Sequence, residues 1–219
     1  MIVTGARGAL GQAVCRRYRE EGHALATIDR TAAASGAEAG VTRVTGDLGT
    51  PEGARASVQA AADAIGGLDA VVHLAGGFDW KRVEDSAIED WRRLFAANVE
   101  TAVCTVQAAL PRLADGGAIV LVGAASADPA GEGMAAYAAA KSAVARLVEA
   151  LAKELAGRRI RVNAVLPLII DTPKNRADMP AADPSAWTSP AAIADVIAFL
   201  TSPAARAING ALIPATNAA

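Results

Sequence analysis

Tyr137 and Lys141 are the two residues whose types and spacing most strongly suggest a chemical role in this chain. They lie four positions apart in the alanine-rich stretch Ala135 to Ser142, which favours a helix. Side chains four apart on a helix share one face, so a phenol and an ammonium group converge there. The pair therefore suggests a proton donor with an electrostatic helper. The same spacing also arises when a solvated Lys lies beside a half-buried Tyr.

A glycine-rich turn near the start of the chain is typical of a dinucleotide site. The strand-like run Met1 to Thr4 leads into Gly5-Ala-Arg-Gly-Ala-Leu-Gly11 and then into a helical pattern. Such a turn lets backbone N–H groups approach a pyrophosphate at the positive end of the helix dipole. Asp29 ends the apolar run Ala24 to Ile28. A carboxylate at this place can accept hydrogen bonds from the ribose hydroxyls of an adenosine.

Alternating strand and helix patterns must position these features. Strand-like apolar runs lie at Met1 to Thr4, Ala24 to Asp29, Val41 to Val44, Ala70 to Leu74, Ala118 to Val122, Ile160 to Leu166 and Ala211 to Pro214. Helical patterns lie at about Ala9 to Glu21, Pro51 to Ile65, Ile88 to Leu113, Met134 to Ala156 and Pro190 to Leu200. Repeated βα units predict an α/β fold, a Rossmann-type doubly wound parallel sheet of about seven strands with helices on both faces. The 219 residues suffice for a single domain.

Composition and charge exclude several classes of function. A formal net charge of −2 argues against a general nucleic-acid surface. No apolar run reaches the roughly 18 residues of a membrane span, and the start lacks the pattern of a signal peptide. We therefore expect a cytoplasmic protein that binds neither nucleic acid nor a membrane. Cys15 and Cys104 form no CxxC pattern, His73 in its strand is interpreted as structural, and His23 has no assigned role, so no metal site is expected.

Further residues make the chain resemble the short-chain dehydrogenases/reductases from its first strand to its last. They are Thr4-Gly5, Asp47-Leu48, Ala75-Gly76, Asn98, Tyr137 with Lys141, and Asn163 with Pro167 and Thr172, all in the family's order and spacing. The resemblance implies an NAD(P)-dependent oxidoreductase that acts on a small molecule. It implies that the cofactor is bound by Gly5, Arg7, Gly8, Leu10, Gly11, Asp29, Arg30, Asp47, Leu48, Ala75, Gly76, Tyr137, Lys141, Pro167 and Thr172.

The resemblance also implies a role for each catalytic candidate. Tyr137 would be the general acid, and Lys141 would hold the nicotinamide ribose and favour the phenolate. Asn98 would hold the water that links Lys141 to solvent; alternatively, it merely caps or kinks its helix. Thr172 would hold the nicotinamide carboxamide; alternatively, it is the N-cap of a short helix.

The residue at the end of the second strand favours NADH over NADPH. Asp29 would pair with a 2′-hydroxyl and repel a 2′-phosphate. Arg7 and Arg30 leave NADPH possible, because either guanidinium could neutralise a phosphate.

One departure from the family bears on the substrate. The family's serine lies thirteen positions before the tyrosine, where this chain has Ala124, and Ser126 would need a bulge or turn to reach the same spot. The quinonoid dihydropteridine reductases are similar in lacking this serine, in an early middle glycine, and in the segment from Asp171 to Trp187. A quinonoid ring regains aromatic character on reduction and needs less help than an alkoxide. We therefore expect reduction of a quinonoid or conjugated heterocycle; the alternatives are an alcohol or ketone oxidoreductase that uses Ser126 and a non-catalytic NAD(P)H sensor.

Three aromatic side chains are candidates for stacking on a flat substrate. Phe78 and Trp80 follow the turn Ala75-Gly-Gly77, and Trp187 belongs to a segment at about 171–190 that we expect to form a substrate lid. Each of them could equally be a loop anchor.

Two further expectations concern the surface. The low-complexity stretch Ala32 to Gly40 is expected to be a surface loop. The two longest helical patterns carry alanines on more than one face, more apolar surface than one side of a sheet can bury. We expect a homodimer through these helices, with a homotetramer as the alternative, as in the family.

Overall fold

Seven parallel strands form a single sheet in the order β3-β2-β1-β4-β5-β6-β7. The computed structural model describes residues 1–32 and 40–216, so the loop expected at Ala32 to Gly40 lies mostly outside the described residues. The strands are β1 (Ile2–Thr4), β2 (Leu25–Asp29), β3 (Val41–Thr45), β4 (Leu68–His73), β5 (Leu113–Val122), β6 (Arg161–Pro167) and β7 (Leu212–Ala215).

Helices cover both faces of this sheet. They are α1 (Ala9–Glu20), α2 (Pro51–Ala64), α3 (Ile88–Phe95), α4 (Thr101–Ala109), α5 (Ala135–Glu154), α6 (Pro173–Asp178) and α7 (Pro190–Thr201). Neighbouring strand residues point to opposite faces. Ile2 packs in the apolar cluster with α2, α4 and α5, whereas Val3 packs in the cluster with α1 and α7. The predicted doubly wound α/β fold is confirmed.

The strand order reverses beside β1, and this reversal creates the place for a ligand. Thr4, the last residue of β1, is paired with Ile28 on one side and with His73 on the other. The segments that follow β1, β2 and β4 therefore leave the sheet at the same edge. In open parallel sheets ligands bind in the crevice at this edge.

The predicted helix from Ile88 to Leu113 is wrong as a single element. A π-helical turn at Ala96–Glu100 separates α3 from α4. Asn98 lies in this turn and its side-chain amide donates to the carbonyl of Leu94 at 2.9 Å. Extra hydrogen bonds of this kind compete with the regular helical ladder.

The next strand also begins earlier than the pattern indicated. Leu113 is the first residue of β5, whereas the apolar run begins at Ala118. Gly116 and Gly117 interrupt the strand pattern, and the pairing with β4 shifts register at this point. Pro111, just before β5, is incompatible with continuation of α4.

The two ends of the segment expected to form a lid lie next to each other. Ile170 and Thr188 pair in an isolated bridge, and Asp171 N–H donates to the carbonyl of Thr188 at 2.9 Å. The short helix α6 and a 3₁₀ turn at Pro184–Ala186 lie between these ends. The segment thus projects from the carboxyl end of β6, at the edge where β1 ends; its movement as a lid stays a prediction.

No helix among residues 1–32 and 40–216 is long and apolar enough to cross a membrane.

Candidate active site

A cleft of about 530 Å³ opens where β1, β2 and β4 end. Many of the residues predicted to bind the cofactor line it: Gly5, Arg7, Gly8, Asp29, Arg30, Asp47, Leu48, Ala75 and Gly76. Ala97 and Thr101 also line the cleft and were not among the predicted site residues. Thr101 follows Asn98 by three positions. In a helical pattern, side chains three apart lie on the same side, and this spacing is the signal by which Thr101 could have been found.

The glycine turn fits a pyrophosphate. An added Cβ on Gly5 would lie 2.9 Å from the backbone nitrogen of Ala75, and one on Gly11 would lie 2.4 Å from the Gly5 carbonyl oxygen. A Cβ on Gly8 would meet that oxygen only at an ordinary 3.5 Å. Gly5 and Gly11 therefore serve close packing of the turn. Gly8 precedes α1 without a side-chain cap from the described residues, so the first N–H groups of the helix remain available to an anion.

Asp29 marks the adenosine end of the cleft. Its carboxylate is half-buried and accepts a hydrogen bond from the backbone N–H of Arg7 at 3.3 Å. Burial raises the pKa of Asp29, and the hydrogen bond from Arg7 opposes this shift. The Arg7 guanidinium donates to the hydroxyl of Thr31 and to the carbonyl of Ala32. A carboxylate at the rim of the cleft fits the ribose hydroxyls of an adenosine.

The helix α5 brings Tyr137 and Lys141 together. The Lys141 ammonium lies 5.9 Å from the centre of the Tyr137 ring and donates to the carbonyl of Val122 at 2.8 Å. Burial raises the pKa of Tyr137 to about 12 and lowers the pKa of Lys141 to about 8. At neutral pH the phenol keeps its proton and most of the lysine stays charged.

Asn98 pairs with the backbone that follows β4. Its amide group donates to the Gly77 carbonyl at 3.0 Å, and its carbonyl accepts from the Gly77 N–H at 3.2 Å. A Cβ on Gly76 would lie 2.7 Å from Asn98 Oδ1 and 3.5 Å from Lys141 Nζ. The second amide hydrogen of Asn98 is donated to the Leu94 carbonyl. The side chain thus fixes the backbone that lines the cleft, and the water that it would hold stays a prediction.

A buried hydrogen-bond chain ties the glycine turn to β4 and to α4. Thr4 Oγ1 accepts from the backbone N–H of Leu74 at 3.2 Å and contacts His73 Nδ1 at 3.0 Å. On the other side of the ring, His73 Nε2 contacts Thr101 Oγ1 at 3.2 Å. Burial lowers the pKa of His73 to about 3, so the ring is neutral. The interpretation of His73 as a satisfied structural histidine is confirmed.

Comparison with known proteins assigns the family. The family model described as enoyl-(acyl carrier protein) reductase matches residues 5–216. The chain belongs to the short-chain dehydrogenase/reductase family. A short-chain dehydrogenase/reductase of Brucella melitensis, described as a glucose/ribitol dehydrogenase, superposes with a TM-score of 0.89 at 29% identity, over 97% of this chain and 93% of that one.

Two curated relatives in this family are dehydrogenases of hydroxylated compounds. D-threitol dehydrogenase of Mycolicibacterium smegmatis is 34% identical over 96% of this chain and 88% of that protein. Cis-1,2-dihydrobenzene-1,2-diol dehydrogenase of Pseudomonas putida is 36% identical over 76% of this chain and 64% of that protein. The comparisons thus support an oxidoreductase that uses a nicotinamide nucleotide. They do not bear out the narrower resemblance to the dihydropteridine reductases.

This short-chain dehydrogenase/reductase carries Ala124 where the family has its serine. Ala124 is only 6% exposed. Its carbonyl accepts from the N–H of Ala127 at 3.2 Å, and the N–H of Ala125 donates to the Pro167 carbonyl at 2.9 Å. Ser126 lies inside the turn that these bonds form. The turn that Ser126 needs is therefore present, and its use as a replacement hydroxyl stays open.

The three aromatic candidates differ in their surroundings. Phe78 is 58% exposed and meets the Tyr137 ring edge to face, with centroids 4.9 Å apart. Trp80 is 55% exposed. Trp187 is only 6% exposed, which leaves no free face for a substrate. The expectation that Trp187 closes over the substrate is corrected: its indole is a core side chain here.

The remaining predicted residues lie around the same edge of the sheet. Thr172 caps α6, because its hydroxyl accepts from the N–H of Asn175 at 3.1 Å; contact with a carboxamide stays a prediction. Pro167 and Leu10 are in the packed part of the fold, and Pro167 ends β6.

Proposed function

We propose that the chain is an NADH-dependent reductase of a quinonoid or similarly conjugated ring. The observation that carries this proposal is Ala124. A ketone oxygen needs two hydrogen-bond donors as alkoxide charge develops, and here the position of the second donor is a buried methyl group. A conjugated ring that becomes aromatic on reduction needs less of this stabilisation.

The residues at the end of the cleft have separate roles in this reaction. When bound, the nicotinamide supplies the hydride. Tyr137 donates its phenolic proton to the substrate atom on which negative charge develops. Its pKa of about 12 keeps this proton in place until the substrate is bound. Lys141 then stabilises the phenolate with its positive charge, and Asn98 holds the Gly77 backbone beside them.

NADH is the cofactor that the adenosine end favours. Asp29 lies at the rim with its carboxylate directed at a backbone N–H, and a 2′-phosphate beside it would meet a like charge. The Arg7 guanidinium is engaged by the backbone and hydroxyl that follow β2. NADPH binding would require Arg7 or Arg30 to neutralise the 2′-phosphate.

Oxidation of a diol or polyol is the second candidate, and the relatives favour it. D-threitol and a cis-dihydrodiol are the substrates named for two of them. In this reaction Ser126 would supply the hydroxyl that Ala124 lacks. A cofactor-binding sensor without turnover is the third possibility, but it would have no need of both Tyr137 and Lys141.

A two-direction screen separates these functions. NADH oxidation is measured with quinonoid dihydropterin, 1,4-naphthoquinone and cyclohexanone, and NAD⁺ reduction with threitol and 2,3-butanediol. Turnover of the conjugated rings supports the proposal. Diol oxidation that Ser126→Ala abolishes supports the second candidate, and NADH binding without any turnover supports the sensor.

Ala124→Ser provides the matched control for this screen. If the missing hydroxyl limits ketone reduction, its return should raise the kcat/KM for cyclohexanone by up to ~10²-fold. The rate with the conjugated rings should change much less. An Ala124→Ser variant that gains nothing with ketones would contradict the assigned importance of this residue.

A further inference from the structure

The segment that follows β4 presents two large aromatic rings, and one of them, Phe78, contacts Tyr137. The ring planes of Phe78 and Tyr137 meet at 81° with centroids 4.9 Å apart, an edge-to-face geometry. The Trp80 indole lies against the backbone of Gly133, where an added Cβ would come within 2.2 Å of the ring. Both rings nevertheless remain more than half exposed. Large aromatic surface left open next to a candidate catalytic group is typical of a recognition surface.

The residues between and after these rings tie the segment to α3. Asp79 pairs with Arg93 at 2.5 Å, and the Lys81 ammonium pairs with Asp90 at 2.7 Å. Both partners belong to α3, so two ion pairs hold the segment that carries Phe78 and Trp80 against this helix.

A second set of contacts fixes the same segment toward α5. The backbone N–H of Lys81 donates to the Gly133 carbonyl at 2.8 Å. On α3, Asp90 also accepts from the Ala87 N–H at 3.0 Å, and Lys81 lowers its pKa to about 2. The charge of Asp90 is therefore retained at any working pH. The segment that carries the rings is fixed before a ligand binds, so the binding free energy does not include the entropy cost of ordering it.

We propose that Phe78 and Trp80 form a preformed subsite for a flat, apolar, conjugated ring, and that Phe78 sets this preference. The inference rests on the proposed function, since it names the substrate class of the same site. Ring edges and faces attract other rings through quadrupole and dispersion contacts. The Phe78 ring offers no hydrogen-bond partner that replaces water around the hydroxyl groups of a polyol.

The test measures binding of a ring that the enzyme cannot reduce. Calorimetry gives the dissociation constant of 2-naphthol for the NADH-loaded protein. Phe78→Ala should raise it about tenfold, the loss expected for one aromatic contact, and Trp80→Ala should also raise it. Phe78→Leu, which keeps apolar bulk without the ring, should fall between Phe78→Ala and wild type. A constant within twofold of wild type for Phe78→Ala would overturn the inference.

Phe199→Ala is the matched control, because Phe199 is 44% exposed on α7, on the other face of the sheet. It should leave naphthol binding unchanged. The binding readout also separates the two proposals. If Phe78→Ala weakens naphthol binding while no conjugated ring is reduced, the subsite stands and the proposed reaction fails. If conjugated rings are reduced but binding ignores Phe78 and Trp80, the reaction stands and the subsite fails.

Discussion

At the scale of single residues, burial shifts the two candidate catalytic groups in opposite directions. It raises the pKa of Tyr137 to about 12 and lowers the pKa of Lys141 to about 8, because a low-dielectric environment disfavours charge on either group. A phenol that holds its proton suits the direction of reduction, in which the protein must supply a proton. The protonation state of Lys141 is therefore the property that changes with pH near neutrality.

We expect the kcat/KM of the NADH-loaded enzyme for its substrate to fall as the pH rises through about 8. The charged form of Lys141 is the helpful one, so loss of its proton removes the positive charge that stabilises the Tyr137 phenolate. A rate profile from pH 6 to 10 measures this descending limb. Lys141→Arg retains its charge and should move the limb to higher pH, although at a lower rate. A profile unchanged by Lys141→Arg would contradict this assignment.

Tyr137→Phe is the control for the same chemistry. It should remove nearly all turnover and leave NADH affinity within a few-fold, because the phenol acts on the substrate. If turnover persisted, the hydride acceptor would need no acid from the protein.

At the scale of elements, parallel strands collect side chains that lie far apart in the sequence. Asp29 ends β2 and the glycine turn follows β1, and the register of these strands brings the Asp29 carboxylate to the Arg7 backbone. We expect fluorescence titration to give tighter binding of NADH than of NADPH, and Asp29→Ala to narrow this difference. Asp69→Ala removes an equal charge from β4, outside the cleft, and should have no such effect. Tighter NADPH binding by the wild type would overturn the cofactor assignment.

Asn98 links two elements whose connection the sequence does not reveal. Its side chain is 1% exposed and pairs with both backbone groups of Gly77. Asn98→Ala would leave these groups without partners, at a cost of about 1–3 kcal/mol in the free energy of unfolding. We expect urea unfolding to show this loss, together with weaker NADH binding.

Asn163 supplies the matched comparison for that variant. It is also 1% exposed, and it pairs with the backbone of Ile208 and Ala211 beside β7. Asn163→Ala should lower stability by a similar amount without changing NADH affinity. Equal loss of NADH affinity in both variants would mean that Asn98 acts only through general stability.

The elements that the sequence predicted are those whose pattern is local. The buried strands are continuous apolar runs, and the glycine turn is visible residue by residue. A kink at Asn98 was an alternative in the sequence analysis, but the pairing of Asn98 with Gly77, twenty-one positions away, was not predictable because it depends on the tertiary fold. The burial of Trp187 likewise depends on the way a loop folds back onto the core. The order and spacing of residues along the chain predicted the candidates at the site. What each side chain can contact depends on segments that are distant in the sequence.

At the scale of the whole molecule, one outer face keeps an apolar stripe. Ile88 and Phe95 on α3 are 58% and 46% exposed. Together with Trp91, Phe95 borders a hollow of about 250 Å³ that Ala136 and Ala139 of α5 also line. Exposed apolar surface of this kind marks contact with another protein. We propose that a second copy of the chain covers this apolar stripe. The cytoplasmic location of the protein stays a prediction from the sequence.

Light scattering tests this assembly at micromolar concentration. We expect at least twice the 22.1 kDa mass of one chain, and Phe95→Arg should shift the protein toward a monomer, because a buried guanidinium without a partner opposes association. Phe199→Arg changes a similarly exposed phenylalanine on α7 and should leave a dimer intact. If the wild type forms a tetramer that Phe199→Arg reduces to a dimer, the second interface lies on the α7 face. A wild-type monomer, or a dimer that only Phe199→Arg dissociates, would place no partner on the α3 stripe.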